Sequence, residues 1–410
     1  MFKMKRAAAW MLPALAFASY AGLARADEHM VLVDTIDVGG AGLGAFDISF
    51  VDPKINLYVL ADRTNASVDF FDPRDDTFVT RVGGFKGVVL VNGVANNNLS
   101  GPDGVIVVGN KQVWAGDGDS TVKIIDLATH SIIDTVSTGG KFRCDEMTWD
   151  SADHILAVAN NADSPPFLTL INTDTHKIIK KIAFDGTNGT PDATNGLEQA
   201  QWSARTGMFY VSVPQIGSDV TEGGVSVIDP SSSSVVATYP VVNCTPAGLA
   251  LGPKDEALLG CSVSFGTSPN VLTQSVVMNV KTGTVVATIP QVGGSDEVWY
   301  DPATNHYYLG ARSDKNTAGV TTPVLGTIDA GSNQFDGSVF TSTSAHSVAA
   351  DKKSHHVFVP IGVQAAGASD PTSPCKTKGC IAVYLPSSID YDDGSKRSAS
   401  NDDKDGKHHD

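Results

Sequence analysis

The stretch VSVIDPSSSSVVATY at residues 225–239 decides the fold, because similar stretches occur five more times along the chain. Each copy has alternating apolar residues, an Asp or Asn, a short polar turn and a second β-branched run. The other copies are VDFFDPRDDTFVTRV (68–82), VKIIDLATHSIIDTV (122–136), LTLINTDTHKIIKKI (168–182), VVMNVKTGTVVATI (276–289) and LGTIDAGSNQFDGSV (325–339). Strand pairs that recur at intervals of roughly fifty residues are typical of a β-propeller.

A second pair of strands precedes each copy and predicts the two inner strands of a four-stranded blade. The turns between the inner strands are predicted at Asp52-Pro53, Gly109-Asn110, Asp150-Ser151, Ser203-Ala204, Gly252-Pro253, Asp301-Pro302 and Asp351-Lys352. We therefore expect an all-β fold, a seven-bladed β-propeller. Blade seven has inner strands near 346–363 and a third strand at 381–385, but no fourth strand follows. The segment 30–38 is predicted to supply it, which closes the ring and removes its open edge.

The two ends of the chain differ in composition from the repeats. Residues 1–26 combine a basic start, an apolar stretch and the sequence Ala24-Arg25-Ala26, which predicts a cleaved signal peptide, with a membrane anchor as the alternative. Residues 27–385 form the propeller, and 386–410 are polar and charged, which predicts a disordered tail. No later segment has the apolar length of a membrane span. We therefore expect a periplasmic or secreted protein with no membrane span after cleavage.

The formal charge of −16 at pH 7 argues against nucleic acid as a partner, because nucleic-acid binding relies on Lys and Arg to neutralise phosphates. The chain has no Cys-x-x-Cys-His motif and no Walker motif, so we expect no haem and no nucleotide. Gly-x-Ser-x-Gly and His-Glu-x-x-His are also absent from the sequence, which leaves serine-hydrolase and zincin chemistry without support. We expect a monomer that binds a small molecule or an exported protein partner.

The cysteines predict two disulfides, which an exported compartment permits. Cys244 and Cys261 flank one predicted β-hairpin, and Cys375 and Cys380 close a short loop. Cys144 remains unpaired. It is interpreted as an inert packed cysteine, with a metal ligand or a reactive thiol as the alternatives.

The repeat also predicts where a site would lie. Five residues before each inner turn, the first strand of the blade begins, and these beginnings gather around one mouth of the channel. The residues at these positions are Asp47, Gly104 (with Asp103 beside it), Asp145, Glu198, Ala247, Asp296 and His346. Converging carboxylates raise one another's pKa or recruit a cation. One hypothesis is a divalent cation (Ca²⁺, Mn²⁺ or Zn²⁺) held by Asp47, Asp145, Glu198, Asp296 and His346; the other is a solvated polar lining.

The second inner strand of each blade returns to the same face. Its exits provide candidate ligand-binding residues, namely Asp62, Arg63, Asn160, Asn161 and Arg312. The arginines would bind a carboxylate bidentately, and the asparagines would offer oxygen ligands or bind hydroxyl groups. Ordinary loop chemistry is the alternative, because Asn, Asp and Gly are the residues that turns need.

Two further sets of residues are expected to face away from the channel. Glu146 and Glu297 adjoin the mouth positions, and the alternation of side chains along a strand predicts that they point away from the axis. Trp149, Trp202 and Trp299 recur near the inner turns. We interpret them as packing between neighbouring blades and not as a platform for a cofactor.

The phrases VSVIDPSSSSVVATYPV (225–241) and VVMNVKTGTVVATIPQV (276–292) resemble the repeats of the YVTN family of β-propellers. The similarity covers nearly all of residues 30–385. It implies an exported propeller with the same blade count. Members of the family include surface and periplasmic binding or scaffold proteins, so the resemblance implies a fold and, for function, only a role of that general kind.

A fainter similarity is to the regucalcin and gluconolactonase group of propellers, which hold one divalent cation at the channel mouth and hydrolyse lactones or related esters. This resemblance implies an alternative function, a metal-dependent lactone or ester hydrolase. Its catalytic residues would be Asp296, Glu198 and His346, with Asp145 and Asn160 as further ligands. The metal would polarise the carbonyl or activate water, and a carboxylate would act as general base. The YVTN-type outer strands and the presence of His346 in the ring depart from that group. A third possibility is an accessory subunit of a periplasmic redox enzyme.

Overall fold

The computed structural model describes residues 29–266, 273–363, 373–375 and 378–389. In this part of the chain, seven four-stranded antiparallel sheets form a closed ring, which confirms the seven-bladed β-propeller. All seven predicted inner turns join the first and second strands of a blade. The predicted signal peptide and the segment 390–410 of the predicted tail lie outside the described residues.

The strands of each blade follow one another outward from the channel. Blade one comprises Ser49–Asp52, Leu57–Asp62, Ser67–Asp72 and Thr77–Gly83, and blade two comprises Val105–Val108, Gln112–Asp117, Thr121–Asp126 and Ser131–Ser137. Blade three comprises Met147–Asp150, Ile155–Asn160, Phe167–Asn172 and Lys177–Ala183, and blade four comprises Ala200–Ser203, Met208–Val213, Glu222–Asp229 and Ser234–Val242. Blades five and six comprise Pro246–Leu251, Glu256–Cys261, Ser275–Asn279, Val285–Ile289; and Val298–Asp301, His306–Ala311, Val324–Asp329, Gln334–Phe340. A small hairpin (Leu90–Val91 and Val94–Ala95) and a 3₁₀ turn (Asn97–Leu99) lie between blades one and two.

Blade seven is built from both ends of the described chain, as predicted. Its strands are Ala349–Ala350, Val357–Ile361, Cys380–Pro386 and, outermost, Met30–Ile36. The N-terminal strand pairs antiparallel with the third strand from Met30 opposite Pro386 to Ile36 opposite Ile381. The third strand therefore ends at Pro386, the first residue of the predicted tail. The closing strand ends at Ile36, two residues before the predicted end at residue 38.

The recurring Asp or Asn explains why each outer strand pair turns where it does. In all six repeats its side-chain oxygen accepts a hydrogen bond of 2.7 to 3.1 Å from a backbone N–H two or three residues further on. This local bond holds the turn. In each of these six blades, the pairing of the third and fourth strands also has one register irregularity at the equivalent place, as between Val227 and Ile228. A bulge of this kind strengthens the local twist.

The core lies between the blades. Trp114 and Ile124 of blade two, for example, pack with Met147, Leu156 and Val158 of blade three. Burial of each such side chain contributes roughly 1.5–3 kcal/mol. The fourth strands lie at the outer rim and are largely exposed.

Both predicted disulfides are confirmed: Cys244 is bonded to Cys261, and Cys375 to Cys380. Disulfides of this kind fit an extracellular protein. Among the residues that the structure describes, no helix has the length and apolarity that crossing a membrane requires.

Candidate functional site

The beginnings of the first strands meet at one end of the channel, which we call the mouth. His346 Nε2 lies 3.3 Å from Asp47 Oδ1, which joins blade seven to blade one. Arg143, in the loop before blade three, donates from Nη1 to Asp47 Oδ2 at 3.0 Å, and its Nη2 lies 2.7 Å from Asp145 Oδ2. The ring closure thus makes Asp47 and His346 neighbours although they lie 299 positions apart in the sequence.

Arg63 lies among these carboxylates and is only 4% exposed. Its guanidinium donates to Asp47 and to Asp103, with Nε 3.1 Å from Asp103 Oδ1. The planar fork of arginine suits this position because it presents several donors to two carboxylates at once. We call the following residues the mouth cluster: Asp47, Asp103, Asp145, Arg63, Arg143 and His346.

The arginines determine which carboxylate of the mouth cluster is ionised. Burial alone would raise the pKa of Asp47, but Arg63, a hydrogen bond with His346 and Arg143 hold that pKa well below its ordinary value. Burial raises the pKa of Asp145 to about 6, although Arg143 opposes the shift. Burial also raises the pKa of Asp103. Asp47 is therefore the anion on which both guanidinium groups converge.

His346 is held in place by two further contacts. Its ring stacks on Phe46 with the centroids 4.6 Å apart. Its Nδ1 lies 2.8 Å from the carbonyl oxygen of Ser344, and its Nε2 faces Asp47. Both ring nitrogens therefore face hydrogen-bond acceptors, which fixes the orientation of the ring.

The donor chemistry of the mouth cluster does not fit a divalent cation. One oxygen of each of the carboxyl groups of Asp47, Asp103 and Asp145 already lies within 3.1 Å of a guanidinium nitrogen. A metal placed between them would lie beside two buried positive charges, which is strongly unfavourable at low local dielectric. Within the described residues, no group of three or more His, Cys, Asp or Glu side chains is arranged to hold a metal ion.

Asp296 and Glu198 lie on the other side of the mouth. Arg312 Nη2 is 2.7 Å from Asp296 Oδ2 in a pair that is largely open to solvent. The carboxylate of Glu198 has no hydrogen bond or ion pair within the part of the chain that the structure describes. Burial, together with the neighbouring Asp145 and Asp296, raises the pKa of Glu198.

Asn161 belongs to the mouth and Asp62 does not contact it. Asn161 Nδ2 donates to Asp145 Oδ2 at 2.6 Å, which fixes that carboxylate against Arg143. Asp62 instead accepts a hydrogen bond from the backbone N–H of Asn65 at 3.0 Å, inside blade one.

Asn160 and Cys144 are packing residues between blades two and three. Asn160 Nδ2 donates to Ser120 Oγ at 2.9 Å, and its side chain is fully buried. Cys144 is buried beside it, and burial raises the pKa of the thiol to about 12. A thiol with so high a pKa is not a nucleophile at neutral pH. This favours the interpretation of Cys144 as inert.

Gly104 explains the missing acid at the mouth position of blade two. A Cβ atom at this position would lie 2.0 Å from the carbonyl oxygen of Asp145. Only glycine allows blade two to approach blade three so closely. The preceding residue, Asp103, supplies the carboxylate instead. Ala247 leaves blade five without a charge at its equivalent position.

An open groove of about 740 Å³ adjoins the mouth cluster, and we call it the mouth groove. Arg143 and Asn161 line its inner end. Its wall carries four carboxylates, namely Asp163, Asp185, Asp192 and Glu198. Four acids against one guanidinium give the groove a negative field, which attracts cationic groups.

Exposed aliphatic side chains collect on the loops of the mouth face. Leu90 and Val94 of the small hairpin are 62% and 69% exposed, and Val220 and Val242 of blade four are 62% and 63% exposed. The turns at the opposite face, which we call the turn face, carry mainly Asp, Asn, Ser, Thr and Lys. The apolar exposure of the loops is therefore concentrated on one face of the ring.

A second cavity, of about 200 Å³, lies inside the channel behind the mouth cluster, and we call it the axial cavity. Glu146 and Glu297, from blades three and six, both line it, and burial together with the proximity of Glu297 raises the pKa of Glu146. Gln199 Nε2 donates to Glu297 Oε2 at 3.0 Å. The expectation that Glu146 and Glu297 point away from the axis is therefore wrong. An inner strand presents its edge to the axis, so side chains on either side of it reach the channel.

The tryptophans divide between packing and lining. Trp149 and Trp202 pack against the cores on either side of blade three, as expected. Trp299 also packs against a core between blades, yet it lines the axial cavity and contacts Phe50 edge to face, with the ring centroids 5.5 Å apart.

Sequence reasoning missed Arg143, Gln199 and Asp192. Arg143 has a sequence signal, since it is a cation two residues before the mouth position Asp145. Gln199 follows Glu198 as Glu146 follows Asp145, and this shared offset would have grouped it with the channel residues. Asp192 lies in a loop that no repeat relates to the other blades, so its place in the groove has no sequence signal.

No protein-family model matches this chain, and no curated protein matches it either. The resemblance to YVTN propellers therefore remains a prediction from the repeat phrases. The features of the molecule that bear on function are the mouth cluster, the mouth groove and the axial cavity.

Proposed function

We propose that this protein is an exported binding or scaffold propeller, and that its mouth groove holds a basic segment of a partner protein. The propeller fold is consistent with a binding or scaffold role. The observation that carries the proposal is the set of four acids that line the groove, Asp163, Asp185, Asp192 and Glu198. The one guanidinium in the lining, that of Arg143, is already paired with Asp47 and Asp145. A lysine or arginine side chain would supply the missing positive charge.

The surroundings of the groove favour a protein segment over a free ion. Val220 and Val242 belong to the same blade as Glu198 and expose aliphatic surface on the mouth face. A partner segment with basic and aliphatic residues would bury that surface and neutralise the groove together. The net charge of −16 steers basic partners toward the protein.

The metal-dependent hydrolase is the less favoured function. Its metal would have to displace Arg63 and Arg143 from the carboxylates that they already neutralise. Removal of one partner from a buried ion pair is strongly destabilising. Binding therefore accounts for the mouth residues without such a rearrangement.

A peptide series tests the proposal. A fluorescent peptide of arginine and valine is titrated in parallel with a matched peptide in which citrulline, a neutral isostere, replaces arginine. We expect the arginine peptide to bind at least tenfold more tightly at low ionic strength, and we expect added salt to reduce the difference. The readout is fluorescence anisotropy.

Matched variants locate the binding surface. Asp192→Asn with Glu198→Gln removes two carboxylates from the groove, whereas Asp75→Asn with Asp153→Asn removes two exposed carboxylates from the turn face. We expect the first pair to weaken the arginine peptide about tenfold or more and the second pair to leave it nearly unchanged. Equal losses in both double variants, or equal binding of the two peptides, would contradict the proposal.

A further inference from the structure

The axial cavity is separated from the mouth groove by a layer of buried charges. Asp103, Arg63 and Asp145 are 0%, 4% and 2% exposed and span the mouth between blades one, two and three. The cavity begins behind this layer, at Glu146, Gln199 and Glu297, and reaches residues near the inner turns. Those residues are only partly buried, so the cavity is most accessible from the turn face.

The floor of the cavity is formed by two acids that have no nearby cation among the described residues. Glu146 and Glu297 are each 4% exposed and line the cavity together, and burial and the adjoining Glu297 raise the pKa of Glu146. Gln199 is 5% exposed, and its two side-chain groups are used by Glu297 and by the backbone N–H of Leu249, at 3.0 and 2.6 Å. Unlike the mouth cluster, this pair has no arginine beside it among the described residues.

The walls of the cavity are largely aromatic and aliphatic. The part of the wall nearer the turn face is lined by Phe50, Trp299 and Tyr300, and Ile48 and Leu251 add aliphatic side chains to the lining of the cavity. Ring faces and edges of this kind hold hydrocarbon well and attract cations in addition. The cavity therefore combines an acidic floor with an apolar wall, about 200 Å³ in volume.

We infer that the axial cavity is a second binding site, which takes a small primary amine in its ammonium form. The ammonium group would lie on the Glu146–Glu297 pair and replace the proton of Glu297. The hydrocarbon part would lie against Trp299 and Phe50. A metal ion suits the floor less well, because the floor offers only two carboxyl groups as ligands. Gln199 turns its amide NH₂ group, and not its oxygen, toward Glu297. This site does not depend on the mouth groove or on its proposed partner.

The exchange of a proton for an ammonium group makes binding depend on pH. Burial raises the pKa of both glutamates, that of Glu297 to about 8, and their mutual contact raises that of Glu146 further. Other charged and titratable groups face Glu146 and Glu297. On the mouth side these are Asp47, Asp145, Asp296 and Glu198, with Arg63 and Arg143 beyond them, and on the cavity wall it is Tyr300. A higher pH removes the proton of Glu297, so the affinity for an ammonium ion should rise between pH 6.5 and pH 8.5.

The test uses n-butylamine, with n-butanol as its neutral match, and ligand-observed NMR titration of the full chain. We expect butylammonium to bind at least fivefold more tightly at pH 8.5 than at pH 6.5, and at least tenfold more tightly than butanol. Butanol that binds equally well, or butylammonium affinity that falls over this pH range, would overturn the inference.

Variants assign the binding to the floor and wall. Glu146→Gln with Glu297→Gln should abolish butylammonium binding, and Trp299→Leu should weaken it severalfold. Glu297→Gln alone is a second, milder variant, and it should reduce both the affinity and its rise with pH. Asp185→Asn with Asp192→Asn removes two groove carboxylates and should leave butylammonium binding unchanged, which separates this site from the mouth groove. Retention of binding in the Glu146 and Glu297 double variant would refute the site.

Discussion

The two parts of the channel bury carboxyl groups in different ways. In the mouth cluster, Asp47 is neutralised by Arg63 and Arg143, and the charges are locked together. In the axial cavity, Glu146 and Glu297 adjoin each other and the Gln199 amide without a guanidinium group among the described residues, and burial favours their protonated forms. The comparison shows that a guanidinium group closes a site, because it occupies the anion permanently. A carboxyl group that is only protonated leaves the site open to a cation that displaces the proton.

Removal of Arg63 tests the mouth cluster and should have the largest effect. Arg63→Met leaves Asp47 and Asp103 buried without their central cation, and breaking a buried pair in this way costs about 3–5 kcal/mol. Urea denaturation at pH 7 measures the free energy of unfolding. A variant that also carries Asp47→Asn and Asp103→Asn should recover most of the loss. A loss below about 1 kcal/mol in the single variant would show that the pairing is not what stabilises the mouth.

Neutralising the floor of the axial cavity should have the opposite sign. Burial raises the pKa of Glu297 from its ordinary value of 4.5 to about 8, so the folded state holds a proton that the unfolded state releases. The wild-type protein therefore loses stability as the pH rises from about 4.5 to about 8. Glu146→Gln with Glu297→Gln removes this loss, and we expect a gain on the order of 1–3 kcal/mol at pH 8.

Denaturation of both proteins at pH 3.5 and at pH 8 supplies the control for this second prediction. The difference between wild type and double variant should be small at pH 3.5, where the wild-type carboxyl groups are mostly protonated in both states, and larger at pH 8. A difference that does not depend on pH would contradict the interpretation that the folded state holds these protons.

The pair between Arg312 and Asp296 should have the smallest effect. The two atoms lie 2.7 Å apart, as close as Arg143 and Asp145, but the side chains are 41% and 26% exposed. Solvent screens such a pair, so Arg312→Met should cost only about 0.2–1 kcal/mol in the same urea assay. A cost comparable to that of Arg63→Met would show that burial is not what distinguishes the two pairs.

The sequence predicted the fold well because the repeat encodes local physics. The Asp or Asn of each phrase, such as Asp229 and Asn279, fixes its turn through bonds to the next few backbone amides. Counting from those turns placed Asp47 and His346 at one mouth although they are distant in the sequence. Any pattern that repeats in every blade is open to this kind of counting.

The charge partners of the site could not be predicted by counting along the repeat. Arg143 lies two residues before the mouth position of blade three, where the other blades have no cation, so the repeat does not predict that it pairs with Asp47. Alternation along a strand also gave the wrong direction for Glu146 and Glu297, because an edge facing the axis admits side chains from both sides. These charge partners depend on the closed ring and not on local sequence.

The closing strand has a consequence for how the chain acquires its structure. Met30, near the start of the described chain, finds its partner Pro386 only near the end of it. At ordinary synthesis rates of about 5–20 residues per second, the first strand waits roughly 20 to 70 s for that partner. Until then its backbone is an unpaired strand that invites wrong pairing. Biogenesis is therefore the stage at which a helper protein that shields the N-terminal strand would matter most.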